Sequence, residues 1–100
     1  SYHISKDIVK KMRKRLKEIQ IKEVQNPGTL KAYKKTPEYD LYVDINKSVN
    51  AINRIDRDLK DETTYRTPAQ TLRLQKLRKK NMDALVELIK AYESIGEIKE

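Results

Sequence analysis

The sequence contains two Thr-Pro steps, Thr36-Pro37 and Thr67-Pro68, and a long stretch of helical periodicity follows each of them. Threonine is a good helix N-cap, and proline is favoured at the first helical position because its missing N–H would have no partner there. Each step therefore predicts the start of a helix. Since only residues 62–67 separate the two stretches, the two helices are expected to be antiparallel neighbours.

The first stretch predicts a helix over residues 37–61. Its apolar side chains alternate at spacings of three and four, as in a heptad seam, and Ile55 lies beside that seam. The seam residues are Tyr42, Ile45, Val49, Ile52 and Leu59. Asp56 occupies a seam position that would otherwise be apolar. Asp56, and Asn81 in the later helix, are expected to tune pairing by fixing register or oligomeric state rather than to perform chemistry.

The second stretch predicts a helix over residues 68–95. Thr67 and Gln70 have the spacing of a capping box, and Gly96 suits the left-handed position that ends many helices. One apolar line contains Leu74, Leu77, Ala84, Leu88, Ala91 and Ile95, interrupted by Asn81, and a second line beside it contains Met82, Leu85, Ile89 and Tyr92. An apolar arc this wide can contact two neighbours at once.

A third helix is predicted over residues 6–25, with Ser5 as its N-cap and Ile4 and Val9 as a hydrophobic staple. Residues 26–36 are expected to form a connector with no more than one helical turn. The sequence therefore predicts a single all-α domain over residues 1–100, in a three-helix arrangement built on the long hairpin. The packing of the first helix stays open.

The composition predicts self-association. Only 37% of the 100 residues are hydrophobic, whereas 38% are charged. A small domain with so little apolar surface is expected to need a partner chain, so we expect a homo-oligomer. The chain has no cysteine, which fits a reducing compartment. A cytoplasmic location is therefore the default expectation. No apolar run is long enough for a membrane span. The basic first helix could lie on an anionic membrane surface, but it lacks the Trp or Phe anchors common in such helices, so no membrane contact is expected.

The net charge of +8 is concentrated in two regions. Residues 1–36 hold eleven Lys and Arg against three acids, and residues 63–82 hold six against none. Clustered cations favour a polyanion, because each phosphate they neutralise releases condensed counterions. We therefore predict contact with nucleic acid, most simply double-stranded DNA, through its phosphates. The predicted contact residues are Lys10, Lys11, Arg13, Lys14, Lys17, Arg73, Lys76, Lys79 and Lys80.

Two alternatives stay open beside this prediction. The cations can be ordinary solvated helix faces of a protein interaction module, such as an adaptor, an inhibitor or an assembly subunit. That module would present Leu85, Ile89 and Tyr92 to a partner protein. Tyrosines can also stack on bases, and Tyr33 and Tyr65 lie beside basic residues in the predicted connectors.

Catalytic chemistry is not indicated. The sole histidine is His3, close to the first residue, and the two glycines cannot form a phosphate-binding loop. No pair of residues has metal-ligand spacing. We therefore expect no enzyme activity, no cofactor and no metal.

The helical hairpin resembles the small terminase subunits of tailed phages. That group shares a helix, a short break, an Asn-Pro or similar step that opens a second helix, and a Leu-Gly-like ending. Over residues 37–98, the matching features here are Thr67-Pro68-Ala69, the Leu74 and Leu77 line, residues 85–89 and Ile95-Gly96. The resemblance implies a non-catalytic subunit that forms a ring, engages viral DNA and passes it to a large ATPase. Thr67 in place of Asn and the unmatched basic first helix depart from the pattern.

Overall fold

The computed structural model describes the backbone of residues 2–99 and the side chains of residues 5–95. Four helices account for most of this part of the chain, and it contains no strand. They are α1 (Tyr2–Gln25), α2 (Thr29–Tyr33), α3 (Pro37–Lys60) and α4 (Pro68–Lys99). The predicted all-α fold is confirmed, and α2 is the short turn inside the predicted connector.

The two Thr-Pro steps begin helices as predicted. The Thr36 hydroxyl oxygen accepts a hydrogen bond from the Tyr39 backbone N–H at 3.3 Å. At the start of α4, the Thr67 hydroxyl oxygen accepts from the Gln70 backbone N–H at 3.2 Å, and the Gln70 side-chain oxygen accepts from the Thr67 backbone N–H at 2.9 Å. This reciprocal pair is a complete capping box.

The loop between α3 and α4 is organised by two side chains. The Arg66 guanidinium donates to the backbone oxygens of Asp58 and Leu59, and it thereby satisfies carbonyls that the end of α3 leaves without helical partners. The Asp61 carboxylate accepts from the Thr63 hydroxyl at 2.6 Å, the Thr63 N–H at 2.9 Å and the Thr64 hydroxyl at 2.9 Å. These hydrogen bonds, the one from the Thr63 hydroxyl above all, lower the pKa of Asp61 to about 2.

Helices α3 and α4 form an antiparallel hairpin with the most extensive packing in the molecule. Ile45 and Ile52 of α3 are fully buried, and Leu85 of α4 packs in the same core. Nearer the loop, the Asp56 carboxylate accepts from the Arg78 guanidinium at 2.6 and 3.4 Å. This pair links the two helices, and the role of Asp56 in fixing register or oligomeric state stays a prediction. Asn81 instead donates to the Leu77 carbonyl of its own helix at 2.9 Å.

Helix α1 packs against the hairpin and completes its core. Ile8, Val9 and Met12 are buried in the same cluster as the α3 and α4 residues. Arg13 donates to Asn46 at 3.4 Å and Arg15 pairs with Glu38, so α1 runs antiparallel to α3. The start of α1 and the loop end of the hairpin consequently lie towards the same end of the molecule, which is elongated at 54 × 27 × 20 Å.

The turn from α1 into α2 depends on Gly28 and Glu23. Gly28 has a φ of 98°, in the left-handed region that favours glycine. The Glu23 carboxylate accepts from the backbone N–H groups of Gly28 at 3.0 Å and Leu30 at 2.8 Å, which lowers its pKa. The carboxylate thus supplies the acceptor that the start of α2 needs.

Two helix ends differ from the prediction. Helix α1 begins at Tyr2, so Ser5 is not an N-cap but a buried residue inside the helix. Serine lowers helix propensity only slightly, so the helix continues through it. Helix α4 continues to Lys99 rather than ending at Ile95, since one glycine weakens a helix without stopping it. The staple residue Ile4, the His3 side chain and the Gly96 position lie outside the described side chains.

The predicted partner surface is also corrected. Leu85 is 2% exposed, Ile89 is 9% exposed, and Tyr92 packs against the core that they form with α1 and α3. The apolar arc of α4 is wide because it contains two lines of residues. The line of Leu85, Ile89 and Tyr92 packs in the intramolecular core, while the line that contains Leu77 and Leu88 lies at the edge of that core. Leu85, Ile89 and Tyr92 therefore do not form an exposed surface on this chain.

Candidate nucleic-acid interface

Three lysines form a stripe along the outer face of α1. Lys10, Lys14 and Lys17 are spaced four and three residues apart, so they lie on one side of the helix. The buried residues Ile8 and Met12 lie on the opposite side. All three lysines are exposed, and none has an ion-pair partner among the side chains of residues 5–95. We call this set the α1 stripe.

A polar cleft adjoins the α1 stripe, between α1 and α3. Its volume is about 180 Å³, and it is lined by Lys6, Val9, Lys10, Arg13, Val49, Asn50 and Asn53. Three cationic groups and two amides thus border one concave surface, which is the donor chemistry that phosphate oxygens accept. Arg13 is fixed at its edge by the hydrogen bond to Asn46. Lys11 is exposed at the opposite flank of the helix.

The second candidate surface is the first half of α4. Arg73, Lys76 and Lys80 recur at spacings of three and four residues and are exposed. None of these three pairs with an acid in the part of the chain whose side chains are described. Lys79, the remaining predicted contact, lies 3.6 Å from Asp83 in an exposed pair. Such a pair contributes little, so Lys79 stays accessible to a phosphate. We call these four residues the α4 basic segment.

Arginines carry the structural ion pairs instead. Arg78 pairs with Asp56 across the hairpin, and Arg15 pairs with Glu38 at the start of α3. The Arg15 guanidinium also lies over the Tyr33 ring, 5.8 Å from its centre. The hydrogen bond to Glu38 raises the pKa of Arg15. These two cations are therefore engaged in the fold.

The two connector tyrosines differ in exposure. Tyr33 is buried, stacks edge-on against Tyr39 at 5.8 Å, and donates its hydroxyl to Glu38 at 3.3 Å. Burial, followed by the nearby Glu38 carboxylate, raises the pKa of Tyr33 to about 12. The prediction that Tyr33 stacks on bases is therefore wrong, because its ring belongs to the core. Tyr65 is 85% exposed in the loop before α4 and could stack on a base.

The sequence identified the charged surfaces but missed the cleft. Eight of the nine predicted contact residues have no ion pair within residues 5–95, and the exception is Lys79, with its exposed pair. Arg13 also hydrogen bonds to Asn46. Asn50 and Asn53 join them only because α1 packs antiparallel to α3. No local signal connects residues 6–13 to residues 50–53.

Comparisons with protein-family models, curated proteins and solved structures give no match for this chain. Among the described residues, no group of three or more His, Asp or Glu side chains is placed to hold a metal ion. None of the described helices combines the length and the low charge needed to cross a bilayer. The arrangement of this surface therefore has to be interpreted from its own geometry.

Proposed function

We propose that this protein is a non-enzymatic, nucleic-acid-associated helical protein that contacts the phosphates of double-stranded DNA. The observation that carries the proposal is the exposed, unpaired state of the α1 stripe and of most of the α4 basic segment. Helix faces that are merely solvated commonly alternate cations with acids at spacings of three or four residues. Residues 63–82 contain no acid at all, so Arg73, Lys76 and Lys80 have no acid within their own segment to neutralise them.

The contacts are expected to be independent of base sequence. Lysine ammonium groups act as point charges on phosphates, whereas base recognition usually needs bidentate side chains in a groove. The cleft beside Arg13 would hold a phosphate of the backbone, and Tyr65 could add stacking where a strand is open. The proposed location is cytoplasmic, which the absence of cysteine fits.

The more specific form of the proposal is a phage DNA-packaging subunit similar to small terminases. Its support is the resemblance over residues 37–98, together with an all-α hairpin that exposes cations near its loop end. The specific test is whether the protein binds the large ATPase subunit of a packaging motor encoded in the same genome. If it binds DNA but not that subunit, the general function stands and the packaging role does not.

The general function is tested by titrating a fluorescent duplex of mixed sequence with the protein at several salt concentrations. If about six phosphates are neutralised, affinity should fall about 10³-fold between 50 and 200 mM salt. A second duplex of unrelated sequence should bind with the same affinity. No binding at 50 mM salt, or binding that does not weaken with salt, would overturn the proposal.

A further inference from the structure

Helix α4 carries two heptad seams side by side. The inner seam consists of Arg78, Met82, Leu85, Ile89 and Tyr92, and it faces α3 and α1. The outer seam consists of Leu74, Leu77, Asn81, Ala84, Leu88, Ala91 and Ile95, spaced three, four, three, four, three and four residues apart. That alternation is the pattern of a helix that packs against another helix along its whole length.

Within residues 5–95, no other helix covers most of the outer seam, although Leu88 touches the edge of the core. Leu77 is 46% exposed, Ala84 and Ala91 are exposed, and Leu88 and Ile95 are half-buried. A groove of about 520 Å³ runs beside it, lined by Asp44, Lys47, Ser48, Ala84, Glu87 and Leu88. All of these residues belong to α3 and α4, so α1 leaves this side of the hairpin open. The small side chains of Ala84 and Ala91 would allow another backbone to approach closely.

We propose that the outer seam packs against the outer seam of a second copy of this chain, with the two α4 helices antiparallel. The charge of α4 sets this direction. Residues 68–82 contain five bases and no acid, whereas residues 83–99 contain four acids and two bases. An antiparallel pair places the basic half of each helix beside the acidic half of the other, whereas a parallel pair would place like charges together.

The seam is complementary to itself in one particular register. With Leu77 opposite Leu88 of the second copy, Asn81 lies opposite Ala84, and Leu74 lies opposite Ala91. Twofold symmetry repeats each of these contacts, and two of the three layers combine a larger side chain with a small one. In the same register Lys80 of each chain lies beside Glu87 of the other, which gives two symmetric opposite-charge contacts.

The resulting assembly is a four-helix bundle made from two hairpins, with α1 of each chain on the outside. It also supplies the apolar burial that a chain with 37% hydrophobic residues lacks on its own. The seam extends over residues 74–95, roughly 31 Å at 1.5 Å per residue. The proposal does not depend on nucleic-acid binding, because the dimer forms through apolar contacts of the free protein.

The mass of the full chain in solution, measured by sedimentation equilibrium, tests the interface. The native chain should have twice the mass of one copy at micromolar concentration. Ala84→Glu should weaken association by about 100-fold or more, because it would bury unpaired carboxylates in the dimer. Val86→Glu is the matched control, since Val86 is 42% exposed outside the outer seam and should leave the dimer intact. A native chain that stays monomeric, or equal effects of the two variants, would overturn the proposal.

Disulfide trapping tests the direction, because the chain has no cysteine of its own. When Leu77→Cys and Leu88→Cys variants are mixed under mild oxidation, the disulfide should join one variant to the other. Neither variant alone should cross-link, since residue 77 lies far from residue 77 of the second copy. Efficient cross-linking of either variant with itself would indicate a parallel pair and overturn the antiparallel arrangement. Circular dichroism confirms that each variant keeps the helical content of the native chain.

Discussion

At the scale of single residues, Glu38 connects three helices. It lies in the first turn of α3, where a negative charge is favoured, and its side chain is only 8% exposed. Its carboxylate accepts from Arg15 of α1 and from the Tyr33 hydroxyl at the end of α2. A carboxylate buried to this degree is tolerated because these donors replace the water that it loses.

Replacing Glu38 with alanine is expected to lower the free energy of unfolding by about 1–3 kcal/mol, because the buried Tyr33 hydroxyl and the Arg15 guanidinium lose their shared acceptor. Denaturant unfolding measures this change. Glu18→Ala is the control, since Glu18 is exposed on α1 and its removal should change stability by less than about 0.5 kcal/mol. Equal effects of the two substitutions would contradict the structural role given to Glu38.

Tyr33 should make the fold sensitive to alkaline pH. Its pKa is raised to about 12 in the folded chain, whereas an unfolded tyrosine has a pKa of about 10. The unfolded chain therefore loses this proton first, and stability present below pH 10 is lost as pH rises towards 12. Tyr33→Phe should flatten that loss relative to the native chain in denaturant unfolding at pH 9 to 12. An unchanged pH profile would show that the hydroxyl is not buried.

These contacts could not be found in the sequence, because the residues that form them are far apart along the chain. Arg15 and Glu38 are 23 positions apart, and nothing local to either one indicates the other. The exposed lysines were identifiable because their signal is local, since an amphipathic helix places its cations opposite its apolar face. Tyr33 was misassigned because its lysine neighbours in sequence do not show which way its own ring points.

At the scale of helices, the capping box of α4 should contribute measurably to stability. Thr67→Ala removes the oxygen that accepts from the Gln70 N–H, so it is expected to destabilise the chain by about 0.5–2 kcal/mol. Thr67→Ser is the control, because serine keeps the hydroxyl and should retain most of the stability. Thermal unfolding of the three proteins compares them. A serine variant as unstable as the alanine variant would indicate that Thr67 stabilises the chain through its methyl group and not through its cap hydrogen bond.

The starts of α3 and α4 are predictable from the sequence, whereas the start of α1 and the end of α4 are not. Thr36 and Thr67 are followed by proline and by backbone N–H groups that they cap, so the start signal is chemically complete within four residues. Ser5 also has a hydroxyl that could cap a helix, but no proline follows it, and α1 continues through that position with Ser5 buried. Gly96 is likewise a weak signal alone, since no proline follows it.

The two seams of α4 illustrate a limit of periodicity. Both have helical spacing, and the sequence gives no reason why one rather than the other should face α3. Tertiary contacts decide which seam faces α3. Arg78 of the inner seam pairs with Asp56, and α1 covers the side of α4 that contains Ile89. The partner surface predicted at Leu85 is consequently part of the core, and the other apolar line of α4 lies at the edge of that core.

At the scale of the whole molecule, arginine and lysine have different roles. The cations that hold the fold together are Arg15, Arg66 and Arg78, whose planar guanidinium groups bridge helices or cap a helix end. The three cations of the α1 stripe are lysines, which are strongly hydrated point charges suited to phosphate. Exposed arginines also occur, since Arg13 borders the cleft and Arg73 belongs to the α4 basic segment. The lysines of the α1 stripe have no ion pair within residues 5–95, which supports an electrostatic function for them.

The measurement that tests this account most directly is the salt dependence of duplex binding by a Lys10→Gln, Lys14→Gln, Lys17→Gln variant. If each lysine neutralises one phosphate, the slope of log affinity against log salt should become shallower by about 2.7, at 0.9 per contact. The control is Lys47→Gln, Lys60→Gln, Lys90→Gln, which removes the same charge from net-acidic regions and should keep the native slope. Equal slopes for the two triple variants would contradict the assignment of DNA binding to the outer face of α1.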